Sequence, residues 1–321
     1  MIIGVLVVAI AVPAVIGLLL WERIDRVSVR LPGSTPGGTT YLLVGSDSRA
    51  GLTSAADRAS FGDTTQAPGQ HADLVLLLRV PDGGGTPRVM AVPRDLLVFA
   101  TPFGLGRVGP TLNHGPQGLV DSVCRTLGIG VDHLMIVSFL SFAHLVDAVG
   151  GVDVTLPVPE RDSVLNFRYG PGTFHFDGRT ALTYVRVRHV EEYRNGAWQP
   201  DPEAALGRGT RAREVLAQIA RDAPSIADPL GYTRFAWTAS GAVRVDDSSG
   251  ISDLRNLYDA LHDLSRAQDV QLPVMVRDGN VPLATLQPTA EAVVESFQGL
   301  ARRGPCAHPQ MPFSDGSVGH P

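Results

Sequence analysis

Residues 2–20, IIGVLVVAIAVPAVIGLLL, form an apolar run without a charged or strongly polar side chain. As a helix, a run of this length spans the hydrocarbon core of a bilayer. Trp21 follows where an interfacial aromatic is expected, and Glu22, Arg23, Asp25 and Arg26 come next. The pattern predicts an N-terminal transmembrane helix, with residues 1–26 as anchor and flank. A cleaved signal peptide is the competing reading. Against it stand the length of the run and the lack of a clear A-x-A cleavage site. No basic residue precedes the run, so charge asymmetry leaves the orientation open.

Beyond the anchor the pattern changes. Residues 27–40, including the stretch RLPGSTPGGTT, are rich in Gly, Pro, Ser and Thr and read as a linker. Short β-branched or leucine-rich runs bounded by turn residues predict buried strands over 40–44, 73–80, 88–92 and 152–156. Helical spacing of apolar positions marks 115–127, 141–149, 204–221, 251–264 and 289–302. Strands interleaved with helices point to an α/β fold, here an α-β-α sandwich around a central mixed sheet. One outer domain is expected over 41–303. Residues 304–321, loaded with Gly, Pro, His and Ser, read as a disordered tail.

Composition narrows the chemistry. The 321-residue chain has a net charge of −5, without the basic footprint of a nucleic-acid-binding domain. All 27 basic residues are Arg, a bias that a GC-rich genome explains. The bias excludes a Walker lysine, a Schiff-base lysine and a Ser-Lys dyad, and leaves planar guanidiniums suited to phosphate. Cys124 and Cys306 fit no zinc or redox spacing. Outside the cytoplasm they could pair as a disulfide.

The candidate chemistry sits at predicted element ends. Gly45-Ser46-Asp47-Ser48-Arg49 follows a strand directly, where α/β folds place ligands, although an Asx-type turn is the plainer alternative. Asp73 opens the next strand, and Arg94, beside Asp95, closes the one after. In Val185-Arg186-Val187-Arg188-His189 both arginines share a face if the segment is extended, so the helix after Gly178 is expected to stop near Tyr184. Arg208 and Arg211 lie on one side of an amphipathic helix. Two carboxylates with several arginines suit a diphosphate: carboxylates hold a hard divalent cation and arginines neutralise the remaining charge. The nine histidines show no HExxH-like spacing; His71, His114 and His189 lie near these motifs.

In their order along the chain, YLLVGSDSR, HADLVLLL, VMAVPRDL, LNHG, DAVGGVDVTLP, DGRTALTYVRVRH and GRGTRAREVL resemble the LytR-CpsA-Psr family of cell-wall glycopolymer transferases, from about Tyr41 to about Ala220. The resemblance implies a single-pass cell-membrane anchor with the catalytic domain extracytoplasmic. It implies a phosphotransferase that moves glycosyl phosphate from a polyprenyl-pyrophosphate-linked glycan to a peptidoglycan acceptor, commonly a muramic acid 6-hydroxyl. Carried over by position, Asp47 and Asp73 are the Mg²⁺ carboxylates, with Mn²⁺ able to replace Mg²⁺. Arg94, Arg186, Arg188 and Arg208 are the catalytic pyrophosphate clamp, and Arg49, His71 and Arg211 contribute to substrate binding. The prenyl chain requires an apolar groove, for which the sequence singles out no lining; Phe139, Phe142 and Leu145 read as ordinary packing. Three positions depart from the family pattern: His71 stands in place of an arginine, Ala205 of an acidic residue and Ala212 of a glutamine. They keep open a second expectation, a weakened relative that binds lipid-linked glycan and assists an active paralogue.

Overall fold

The computed structural model describes residues 15–49, 69–100, 104–201, 204–225, 227–277, 283–299, 306, 311–312 and 318–319, and for 204–206, 208, 311–312 and 318–319 the backbone alone. Strands β1 (Asp25–Val27), β2 (Gly38–Ser46), β3 (Ala72–Pro81), β4 (Arg88–Ala91), β5 (His133–Ser138), β6 (Val243–Asp246) and β7 (Gln268–Asp269) form the central sheet. Their spatial order is β1-β6-β5-β2-β3-β4-β7. The sheet is mixed: β2 runs parallel to β5 and antiparallel to β3, and β3 runs antiparallel to β4.

Alternation along the strands builds two cores, because successive side chains leave opposite faces. Leu42 and Val44 of β2, Val75 and Leu77 of β3, and Leu134 and Ile136 of β5 face one side. There they meet Leu119, Val120 and Val123 of α1 (Pro116–Leu127) and Val294 and Phe297 of α7 (Ala290–Gln298). Tyr41, Leu43, Leu76 and Leu78 face the other side, against Leu216 and Ala217 of α4 (Ala204–Asp222) and Leu257 and Ala260 of α6 (Ile251–His262). Helices thus cover both faces. A third cluster joins α2 (Phe139–Ala148), α3 (Gly178–Arg186) and α5 (Pro229–Ala242) to the hairpin of Val152–Leu156 with Gly172–Phe176.

Several expectations change. The helix over residues 15–23 is the described part of the expected anchor; residues 1–14 lie outside the described residues, among which no helix is long and apolar enough to cross a membrane. The segment read as a linker is fastened to the domain. Val27, Val29 and Leu31 pack on the first core, and Asp132 accepts the backbone N–H groups of Ser34 and Thr40 at 2.8 and 2.7 Å. Its Gly and Pro content suits a tight path across the surface as well as a flexible one. In the segment read as a tail, Met311–Pro312 pairs with Val318–Gly319, and Cys306 is bonded to Cys124. The rest of 304–321 lies outside the described residues. Helix α3 runs to Arg186, two residues beyond the expected stop, so Val185–Arg188 is not one extended segment.

Candidate functional site

The antiparallel and parallel pairings bring four functional termini to one edge of the sheet. The C-terminal ends of β2, β4 and β5 meet the N-terminal end of β3 there. Asp47 leaves β2 just after a register shift at Gly45/Ser46, and Asp73 stands at the start of the neighbouring β3. Arg94 follows β4, while α2 carries Phe139 onward from β5.

Asp47 is held on both sides of one neighbour. Its Oδ1 accepts the backbone N–H of His71 at 2.6 Å, and its Oδ2 lies 3.1 Å from the His71 ring Nδ1. The LNHG motif sets that loop. Asn113 Oδ1 accepts the Gln70 N–H at 2.8 Å, and a Cβ on Gly69 (φ +89°) would strike Asn113. Only glycine fits there.

Asp73 Oδ1 accepts from Arg94 Nη1, with Arg188 Nη2 at 3.4 Å. Arg94 Nε is buried without a hydrogen-bond partner and lies 3.6 Å from Asp95, which also binds Arg107 at 2.9 Å. Arg186 lays its guanidinium over the Phe139 ring, 4.3 Å from the centroid. Burial pulls its pKa below the ordinary value, Asp73 opposes that shift, and Arg49, Arg188 and Asp47 act on it as well. Arg188 is lowered by burial and then by Arg94, with Asp73 opposing. Both remain charged near neutrality. Asp47, Asp73, Arg49, Arg94, Arg186 and Arg188 therefore share one electrostatic neighbourhood.

Two expected members stand apart or outside. Arg211 is buried against Tyr184, 5.6 Å from its ring centroid, with Asp201 at 3.9 Å. Its charge acts on Glu160 and Tyr184, so it belongs to an adjoining cluster rather than the Asp47/Asp73 group. The side chains of Arg208 and Ala205 lie outside the described residues.

The other motifs position α3. Asp147 Oδ1 accepts the Gly178 N–H at 2.7 Å, and Gly178 lets α3 cross α2 where a Cβ would strike the Ala143 carbonyl. Asp177 caps α3 by accepting the Thr180 N–H at 2.8 Å. Asp162, which no sequence motif marks, accepts four backbone N–H groups, including those of Arg188 and His189. Its only sequence signal is an acid between short turns.

Two clefts reach this edge. The first, about 820 Å³, is almost wholly apolar; Leu43, Leu74, Met135, Phe139, Phe142, Leu182, Ala212, Leu216 and Leu261 line it, and Asp73 and Arg186 stand at its polar end. Phe139 and Phe142, expected as plain packing, are cleft walls. Leu145 is buried in the third core. The second cleft, about 900 Å³, is bounded by Asp73, Arg94, Gly207, Thr210, Arg213, Asp269 and Gln271 together with strand residues.

Among the described residues no three His, Cys, Asp or Glu side chains gather as a metal cage. Mg²⁺ commonly uses one or two protein carboxylates and completes its octahedron with water and phosphate oxygens. Asp47 and Asp73 are carboxylates of the type such an ion takes, and here His71 engages both oxygens of Asp47 while Arg94 and Arg188 engage Oδ1 of Asp73.

The domain is α/β, and Asp73 and Arg186 join the lining of its apolar cleft. The LytR_cpsA_psr family model matches residues 22–295, and the chain belongs to that family. It is 33% identical over 188 residues to the probable cell wall biosynthesis protein LcpB of Corynebacterium glutamicum, covering 58% of this chain and 45% of that protein. It is 29% identical over 154 residues to the polyisoprenyl-teichoic acid–peptidoglycan teichoic acid transferase TagU of Bacillus subtilis, covering 46% and 45%. The matched region spans about half the length of these curated relatives. A LytR-Csp2A-Psr enzyme from Actinomyces oris superposes with a TM-score of 0.68 at 25% identity, over 86% of this chain and 96% of that one. The fold is shared with YwtF (TagT) with bound octaprenyl pyrophosphate lipid, at a TM-score of 0.57 and 20% identity, over 85% and 98%.

Proposed function

We propose that this protein is a membrane-anchored, extracytoplasmic phosphotransferase that moves a glycosyl phosphate from a polyprenyl-pyrophosphate-linked glycopolymer to peptidoglycan. The observation that carries this reading is the apolar cleft ending at Asp73 and Arg186. A prenyl chain gains by leaving water for such a cleft, and its diphosphate then lies among Arg94, Arg186 and Arg188. The prenyl lipid bound by YwtF (TagT) and the transferase name of TagU support the same reading.

In this reading the arginines bind the diphosphate and stabilise charge as the acceptor hydroxyl attacks the phosphorus next to the glycan. The bond from that phosphorus to the bridging oxygen breaks. Its electron pair leaves on polyprenyl phosphate, and the hydroxyl proton passes to solvent. Asp47 and Asp73 would hold Mg²⁺, which supplies Lewis-acid neutralisation of the diphosphate.

A weakened, glycan-binding relative is the second reading, and the His71–Asp47 contact favours it. His71 stands where the family has an arginine, and it engages both oxygens of a proposed metal ligand. The test uses the full chain in detergent with geranyl pyrophosphate, with and without Mg²⁺. The transferase reading expects Mg²⁺-dependent release of a phosphate-containing product, abolished by Asp73→Ala. Binding of polyprenyl pyrophosphates without turnover of any would establish the second reading instead.

A further inference from the structure

The cleft beside Arg94 has no place in the donor's prenyl chemistry. It lies on the β4 side of β3, against Val89 and Ala91, while the apolar groove lies on the β2 side, against Leu43 and Met135; Gly207, Gly209, Thr210 and Arg213 of α4 line the first, and Ala212 and Leu216 line the second. The two spaces meet only at Asp73, Leu74 and the sheet edge that carries them. Helix α4 is held close to the sheet as a partition, since a Cβ on Gly209 would lie 2.4 Å from that of Ala91.

The walls also differ in chemistry. The groove offers almost only hydrocarbon, but the second cleft presents the Thr210 hydroxyl, the Gln271 amide and an Arg213–Asp269 ion pair at 3.3 Å. Paired donors and acceptors on a partly exposed wall suit the vicinal hydroxyls of a sugar. In-line displacement adds a direction. The attacking oxygen and the leaving oxygen lie on opposite sides of the phosphorus. If the polyprenyl phosphate departs along the apolar groove, the nucleophile arrives from the far side of Asp73.

We propose that the cleft bounded by Thr210, Arg213, Asp269 and Gln271 is the acceptor subsite, and that it holds the hydroxyl-bearing sugar of a polymeric glycan. This rests on the transferase reading for its direction of attack, but the binding it requires is measurable without turnover.

The experiment uses the full chain in detergent, a peptidoglycan glycan oligomer and a polyprenyl pyrophosphate, each bound separately by calorimetry. Thr210→Trp fills the polar cleft and is expected to weaken oligomer binding about tenfold or more, with prenyl pyrophosphate binding unchanged. Ala212→Trp fills the groove and is expected to do the reverse. In transfer assays with a glycan-bearing donor, Thr210→Trp is expected to raise the KM for the acceptor. Oligomer binding that survives Thr210→Trp overturns the assignment. So does a raised KM for the donor alone, which would give the cleft to the donor's own glycan. Oligomer binding lost on Thr210→Trp, in a protein that never turns over any donor, upholds the subsite and defeats the transferase reading.

Discussion

Asp162 Oδ2 accepts the backbone N–H of Arg188 at 2.9 Å, and the same oxygen takes the N–H of His189 at 3.0 Å. Its other oxygen accepts the N–H groups of Val164 and Leu165 at 2.9 and 3.1 Å. The chain leaves α3 at Val187, with φ −55° and ψ 135°, and this carboxylate fixes where it goes next. The path that brings the Arg188 guanidinium beside Asp73 starts from this anchored backbone.

Asp162→Asn is expected to lower kcat while leaving prenyl pyrophosphate binding nearly intact, because one of two N–H pairs then faces an amide NH₂. The stability loss should be about 2–3 kcal/mol, since N–H groups are left buried without partners. Burial alone would raise the Asp162 pKa, but the four N–H groups bring it below the ordinary value. A depressed folded-state pKa stabilises the fold above the unfolded value near 4, and that contribution fades as pH falls through the folded one. Denaturant unfolding should therefore show a gap between wild type and Asp162→Asn that is constant from pH 7 to about pH 5 and narrows in stronger acid. A gap that widens in acid would contradict this account.

Arg79 is fully buried within β3. It donates to Thr40 Oγ1 at 3.1 Å and to the carbonyls of Thr35 and Pro36 at 2.9 and 3.2 Å. It fastens the Gly/Pro-rich segment to the sheet. Arg79→Ala should cost about 3 kcal/mol, by leaving these acceptors unpaired and a cavity behind. Hydrogen exchange should become faster over residues 29–36 while α1 keeps its protection.

The strands beginning near 40, 73 and 88 were legible because each is a continuous apolar run, as a strand buried on both faces must be. β5 and β6 were not. β6 is four residues long and carries Arg244 and Asp246, and its place is decided by pairing with β5 across more than a hundred residues. Helix α5 hid for another reason: Leu230, Tyr232 and Trp237 are exposed, so its apolar residues do not mark one buried stripe. At the site, Asp47, Asp73 and Arg94 were legible as element ends. Arg107 and Asp162 were not, because the contact of Arg107 with Asp95 and that of Asp162 with the Arg188 backbone depend on how separate segments meet. Arg211 followed helical spacing correctly and still turned away, drawn by Tyr184 and Asp201.

The Cys124–Cys306 disulfide closes a separation of 182 residues and ties the C-terminal segment to α1. Cys306→Ser is expected to lower stability by on the order of 3 kcal/mol, mainly by releasing the unfolded chain. Thermal unfolding with and without reductant should shift the wild type and leave the variant unmoved. An unchanged wild-type Tm after verified reduction would show that the bond adds nothing to the fold.

Phe139 has two tasks that substitution can separate. It forms part of the apolar cleft wall, and its ring lies under the Arg186 guanidinium. Phe139→Leu keeps hydrocarbon in the cleft but removes the ring face, and a partly desolvated cation–π contact contributes about 1–2 kcal/mol. Lipid binding should therefore change little, while turnover falls about tenfold as Arg186 loses its fixed orientation. Phe139→Ala removes both and should also weaken binding of a long prenyl pyrophosphate more than that of a short one, because only the long chain reaches along the wall. Equal losses for both chain lengths, or equal turnover in the Leu variant and wild type, would separate Phe139 from one task or the other.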